Sequence, residues 1–144
     1  MSELKETTEF LAKVPLFSNL KERQLRLLAG RMVTRRYGVG QDIVTQGKGG
    51  VGLFVVVSGA AEAIRVNSDG TKAVVNEFGP TDFFGELALL DEEPRTASVV
   101  TTEETQCLVL SQWEFLGALR QDVEMAIVIL QELTRRFRRA LDTL

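Results

Sequence analysis

No histidine occurs in the 144 residues, and that absence removes several chemistries at once. A Ser-His-Asp or Cys-His nucleophile, a histidine-ligated metal and a haem held by a proximal histidine are all excluded. Cysteine is nearly absent as well. Cys107 stands alone, so the chain can build neither a disulfide framework nor a cysteine cluster for zinc or iron–sulfur ligation. It lies in the strand-like run Gln106 to Leu110, where it reads as a small core hydrophobe, and a reduced, cytoplasmic setting is expected. No stretch reaches the about 18 apolar residues of a membrane-spanning helix, and Met1-Ser2-Glu3 lacks the basic start of a signal peptide. No membrane association is therefore expected. Nor are basic residues in excess: 17 Lys and Arg stand against 20 Asp and Glu, a net charge of −3. That balance announces no broad basic face for nucleic acid.

What is present suits one domain spanning residues 1–144, since 44% apolar content over this length can bury a core without staples. Helical patterning covers residues 2–31, as one helix from Ser2 to Lys13 and a second from Leu20 to Arg31 after Val14-Pro15. Asn19 and Glu22 are spaced as a capping box for the second, and Leu20, Leu25, Leu28 and Met32 form its core face. Residues 37–110 then change to short strands, predicted at Asp42–Thr45, Leu53–Val57, Ala61–Val66, Ala73–Phe78 and Ser98–Thr101. Asn67-Ser68-Asp69-Gly70 reads as a hairpin turn between two of them. The fold expected is mainly β with flanking helices, an α+β chain whose strands make a sandwich or jelly-roll barrel. Helices return over residues 111–143: Ser111 and Glu114 space a cap for a short helix through Leu119, and Asp122 is the N-cap of a long one reaching Asp142.

Two glycine-rich places, Gly38-Val39-Gly40 and Gly47-Lys48-Gly49-Gly50, lack the frame of a triphosphate-binding loop and read as turns. The acidic trio Asp91-Glu92-Glu93 points its carboxylates in different directions and reads as solvated. The informative stretch is FGELALLDEEPRTASV, residues 84–99. Gly85 permits close backbone approach, Glu86 opens a short helical pattern, and Arg95 adds a forked, permanent cation nine residues on. A carboxylate accepts from sugar hydroxyls and repels phosphate, whereas a guanidinium does the reverse, so the pair suits the ribose-phosphate of a nucleotide. Taken alone, such a Glu–Arg spacing is more often an ion pair. The accompanying Gly85 and the small Ala97 are what a chance ion pair does not need.

This segment resembles the phosphate-binding cassette of the cyclic-nucleotide-binding domain family, and Gly40, Ile43, Gln46-Gly47, Gly59, Gly79 and Asp82 agree with that family's turn pattern. The resemblance extends from Leu16 to Leu141. It implies a jelly-roll barrel over residues 37–110 with N-terminal helices and a long C-terminal helix. It further implies that Glu86 accepts the ribose 2′-hydroxyl, that Arg95 and the N–H groups of Gly85 and Ala97 hold the cyclic phosphate, and that Leu87 and Ala88 shape the short helix. Thr96 follows Arg95, where some relatives use the hydroxyl to favour guanine. The expected ligand is cAMP, with cGMP as the other candidate, and no cofactor, metal or catalysis is expected. Thr81 departs from the pattern, standing where the family commonly has Gly in the turn before Asp82.

The long helix carries a second clue. Val123, Ala126, Leu130, Leu133, Phe137, Ala140 and Leu144 alternate steps of three and four, a heptad seam for pairing with a second copy. Met125, Val128 and Ile129 lie on another face of its first turns. Arg135, Arg136, Arg138 and Arg139 complement the helix dipole, and Glu132 can pair with Arg136. Regulator-type relatives dimerise through this helix and bring it near the base, so the resemblance makes Phe137, Ala140 and Leu141 base-contact candidates. In the catabolite-activator type a Thr-Ser pair stands at the place of Ala140-Leu141. The chain shows no winged helix-turn-helix after this helix, so no direct DNA binding is expected of it. Three readings follow: a sensor acting through a protein effector, the sensory fragment of a transcription regulator of the Crp/Fnr type, or a dimerisation scaffold that has lost its ligand.

Overall fold

The computed structural model describes residues 2–48, 52–90 and 96–144, with the backbone alone at positions 2, 87 and 88. It comprises two compact units, Met1–Arg31 with Trp113–Leu144, and Met32–Gln112.

The first unit is helical: α1 (Ser2–Ala12), a 3-10 turn (Pro15–Phe17), α2 (Glu22–Ala29), α3 (Gln112–Gln121) and α4 (Val123–Asp142). Pro15 opens the 3-10 turn, where its fixed φ costs nothing and its missing N–H is not needed. α2 starts two residues later than its sequence suggests. The Lys21 N–H donates to Gln24 Oε1 at 3.0 Å, closing the first turn there. Asn19, expected as the cap, instead donates from Nδ2 to Glu132 Oε1 at 3.2 Å, a long-range contact that local spacing cannot reveal. The cap of α4 is where it was expected: Asp122 Oδ1 accepts the Met125 N–H at 3.1 Å. Leu11, Phe17, Leu28, Phe115, Met125 and Ile129 are fully buried, and the Phe17 and Phe115 rings meet at 5.9 Å between centroids. Leu20 and Leu25 are buried with them, whereas Met32 is only half-buried.

The second unit holds the strands β1 (Val33–Tyr37), β2 (Asp42–Val44), β3 (Gly52–Ser58), β4 (Ala61–Val66), β5 (Lys72–Phe78), β6 (Phe83–Phe84), β7 (Ser98–Thr101) and β8 (Thr105–Ser111). They form two antiparallel sheets of four, ordered β1-β8-β3-β6 and β2-β7-β4-β5. Phe54, Val56, Cys107 and Val109 supply the core of the first and Ala61, Ala63 and Val99 that of the second, while Ile43, Val44, Phe78 and Phe84 pack against both groups. The hairpin turn is confirmed, with Asn67 N–H bonded to Thr71 O and Thr71 N–H to Asp69 Oδ1.

The expected closed jelly-roll barrel is not what forms. The described residues make an α+β fold with two open sheets and four α-helices. Closure requires ladder hydrogen bonds all the way round, and among the described residues β1, β6, β2 and β5 pair on one side only. β6 has two residues and β2 three, with a register break between Asp42 and Val44, too little strand to carry a ladder across. Strand structure also begins earlier than expected, at Val33. β1 is an edge strand with four of five residues exposed, so it lacks the apolar alternation that marks a half-buried strand.

Candidate functional site

The cassette segment is anchored by aromatic rings. Phe84 lies opposite Phe54 in the β6–β3 ladder and stacks on it, with centroids 5.2 Å apart and planes 5° apart. It also meets the Phe78 ring in a tilted contact, with centroids 4.9 Å apart. The turn that delivers the chain to Phe84 is closed by Asp82, whose N–H donates to Gly79 O at 3.0 Å and whose Oδ2 accepts the Gly79 N–H at 2.8 Å. Thr81 N–H bonds to Val56 O and Val56 N–H to Asp82 O, each at 2.8 Å, so the turn is stitched to β3. Thr81 holds φ at 76°, the left-handed region where a β-branched side chain is opposed.

Immediately after Phe84 the backbone turns at Gly85, whose φ of 83° suits glycine. Residues Glu86–Leu89 form a single 3-10 turn that packs against β3, with Leu89 fully buried. Glu86 heads this turn, half-buried, with Oε2 shielded from solvent. Leu87 and Ala88 belong to the same turn by their backbone. On the far side of the cassette, Thr96 is exposed and Ala97 is half-buried, packing against the Ala61, Ala63 and Val99 group that Phe84 also touches. Phe84, which leads into Gly85 and Glu86, and Ala97 therefore pack against the same core group. Arg95 lies outside the described residues, as do Asp91, Glu92 and Glu93.

Gln46, which the sequence marks only as part of a turn pattern, ties two strands together. Its N–H donates to Ser98 Oγ at 2.8 Å, and its side-chain amide clasps Val66, accepting from the N–H at 2.8 Å and donating to the carbonyl at 3.0 Å. Through its backbone N–H and its side chain together, Gln46 thus ties the start of β7, next to Ala97, to the end of β4. A groove of about 530 Å³ opens beside the Gly79–Asp82 turn, but Glu62, Glu77 and Asp82 line it and would repel a phosphate. Cys107 is fully buried, and burial pushes its thiol up to about 11. That is the opposite of a reactive cysteine.

In the helical unit, α4 turns Met125 and Ile129 inward while Val128 is half-buried. Of the expected seam, Val123, Leu130 and Phe137 are 65%, 61% and 65% exposed, and Ala126 and Leu133 are half-buried. Ala140 and Leu141 are exposed, and Ile127 joins the same apolar stripe. Glu132 is buried on α4 and gathers Arg135 at 3.2 Å, Arg139 at 3.5 Å and Arg136 at 3.7 Å, besides Asn19. The Glu132–Arg136 pair was legible from spacing. The reach to Asn19, 113 residues away in sequence, had no local signal.

Among the described residues no helix is long and apolar enough to cross a membrane, and no group of three or more His, Cys, Asp or Glu could hold a metal ion. Comparison with known proteins places residues 34–122 within the family model described as the cyclic nucleotide-binding domain. The cyclic AMP receptor protein of Thermus thermophilus is 34% identical over 126 residues, covering 88% of this chain and 58% of that protein. The cAMP-dependent protein kinase regulatory subunit of Aspergillus fumigatus is 38% identical over 97 residues, 67% of this chain and 23% of that one. The chain thus spans little more than half of the first and about a quarter of the second. Among solved structures, the N-terminal domain of a transcriptional regulator from Streptomyces coelicolor A3(2) superposes with a TM-score of 0.86 at 30% identity, over 93% of this chain and 94% of that one.

Proposed function

The chain belongs to the cyclic nucleotide-binding domain family, and from that premise we propose that it is a regulatory, non-catalytic domain that binds a cyclic mononucleotide in the cassette 84–99. The observation that carries this reading is the turn from the anchored Phe84 through Gly85 at positive φ into the half-buried Glu86. In this reading Glu86 accepts the ribose 2′-hydroxyl, Arg95 supplies the forked cation for the cyclic phosphate, and the N–H groups of Gly85 and Ala97 add neutral donors. Leu87 and Ala88 shape the 3-10 turn, and Thr96 supplies a hydroxyl beside the phosphate. cAMP is the proposed ligand, because both curated relatives above are named for it, with cGMP the competitor that the Thr96 hydroxyl keeps open.

The ligand signals, on this proposal, by biasing the position of α4. A ligand shifts such an equilibrium only as far as its affinities for the two positions differ. The exposed stripe on α4 serves pairing with a second copy, and the domain works in the cytoplasm, without membrane or DNA contact of its own. A second reading, the sensory part of a transcription regulator, is favoured by the extent of the match to the Streptomyces coelicolor domain. Titration of wild type and Glu86→Gln with cAMP and 2′-deoxy-cAMP tests the site. Glu86→Gln is expected to weaken cAMP binding and leave the deoxy analogue nearly unaffected, because only cAMP carries the hydroxyl. Equal losses for both ligands would remove Glu86 from that role.

A further inference from the structure

The apolar stripe of α4 has one polar member. Its exposed large residues fall on two interleaved series seven residues apart: Val123, Leu130 and Phe137 on one, Ile127 and Leu141 on the other, with Leu144 following past the helix end. The place midway between Ile127 and Leu141 is Thr134, which is also exposed. In heptad terms the first series occupies d and the second a, so Ile127, Thr134 and Leu141 are successive a residues. Ala126, Leu133 and Ala140 fall at g and widen the seam, and the charged or polar Glu124, Gln131 and Arg138 fall at e.

We propose that Thr134 is the layer that fixes register and partner choice when two copies of this chain pair through α4, a proposal that rests on the dimer reading above. β-branched residues at a with leucine at d favour two parallel strands, and Ile127, Thr134 and Leu130 meet that description. A single polar a residue sets register at some cost in stability, because any slip places it against an apolar layer. Here the cost is limited: the Thr134 hydroxyl already donates to its own helix, to Leu130 O at 2.9 Å. Parallel pairing in register matches every layer of the helix with itself. Antiparallel pairing would set Thr134 against Leu130 or Phe137 of the second copy, an apolar residue in either of the two central registers. The charge layout agrees with a second copy as the occupant. Parallel pairing sets e against g, so Gln131 and Arg138 meet alanine and leucine and no like charges face each other. Arg135, Arg136 and Arg139 are gathered at Glu132, away from the stripe.

Thiol trapping tests this directly, with Cys107 fully buried and so a silent background. Sedimentation equilibrium first establishes whether wild type dimerises. Thr134→Cys is then expected to form a covalent dimer rapidly under mild oxidation, while Arg135→Cys, one residue off the stripe, forms little. A dimeric wild type whose Thr134→Cys variant does not cross-link, or cross-links no faster than Arg135→Cys, would overturn the Thr134 layer and leave the dimer reading standing. A wild type monomeric at all concentrations would overturn both. The isosteric Thr134→Val is expected to tighten self-association by roughly five- to tenfold, by removing a hydroxyl from an apolar layer. An unchanged dimer constant would also contradict the proposal.

Discussion

At Thr81 the backbone holds a conformation that its own side chain opposes. Hydrogen bonds from both flanks to β3 impose φ of 76° there, and a non-glycine residue in that region costs about 1–2 kcal/mol. Thr81→Gly relieves this, offset by the greater freedom of glycine in the unfolded chain, and is expected to stabilise the protein by about 0.5–1 kcal/mol. Denaturant midpoints at unchanged slope check it, and a destabilised variant would mean that the threonine side chain makes a contact worth more than the strain. The residue-level signals divide cleanly. Thr81 was visible as a departure from a glycine pattern, and the structure shows the backbone reason for the glycine. Gly85 was visible because its chemistry is local, a turn that needs a positive φ. The clasp of Gln46 on Val66 was not, since a glutamine carries no mark of a partner 20 residues away.

At the scale of elements, most strands and helices followed from periodicity and turn chemistry, and the exceptions have physical causes. β1 is an exposed edge, β6 is two residues long, and α2 takes its cap from Lys21 and Gln24 because Asn19 is drawn to Glu132. Asp122 is the cap that was legible, and it carries a pH dependence. Acceptance of the Met125 N–H, assisted by Arg23, holds its carboxyl below the usual carboxylate range. A group depressed in the folded state contributes stability above its unfolded pKa and loses it as pH falls through the folded one. Asp122→Ala should therefore cost about 1 kcal/mol at neutral pH, with the gap to wild type narrowing in acid. Asp122→Asn, an equally good cap, should keep most of the stability and lack that acid limb. A gap for Asp122→Ala that stays constant down to low pH would detach the cap from the carboxylate.

For the molecule as a whole, the sandwich of strands and the flanking helices were legible, and closure into a barrel was not. Alternation tells which residues face inward but not whether the last strand of one sheet bonds to the first of the other, and strands of two or three residues leave that unmade. The stripe on α4 belongs to this scale too, because its value depends on a second molecule. Leu130 is the better probe of it than Leu133, being exposed where Leu133 is half-buried. Leu130→Glu is expected to leave the fold intact and weaken dimerisation at least about 100-fold, since each copy loses a buried leucine. Cyclic-nucleotide binding should weaken with it if pairing and ligand favour the same position of α4. Sedimentation with and without cAMP reads both, and a monomeric variant with undiminished affinity would uncouple them.

The central claim is that the segment from Phe84 to Val99 holds a cyclic nucleotide by its phosphate, and calorimetric titration of wild type and Arg95→Ala with cAMP and cGMP tests it most directly. A charge-assisted contact contributes about 1.5–3 kcal/mol, so Arg95→Ala is expected to weaken binding by roughly 10- to 150-fold with an unchanged thermal transition. A wild type that takes up neither nucleotide, or an Arg95→Ala variant that binds as tightly as wild type, would contradict it.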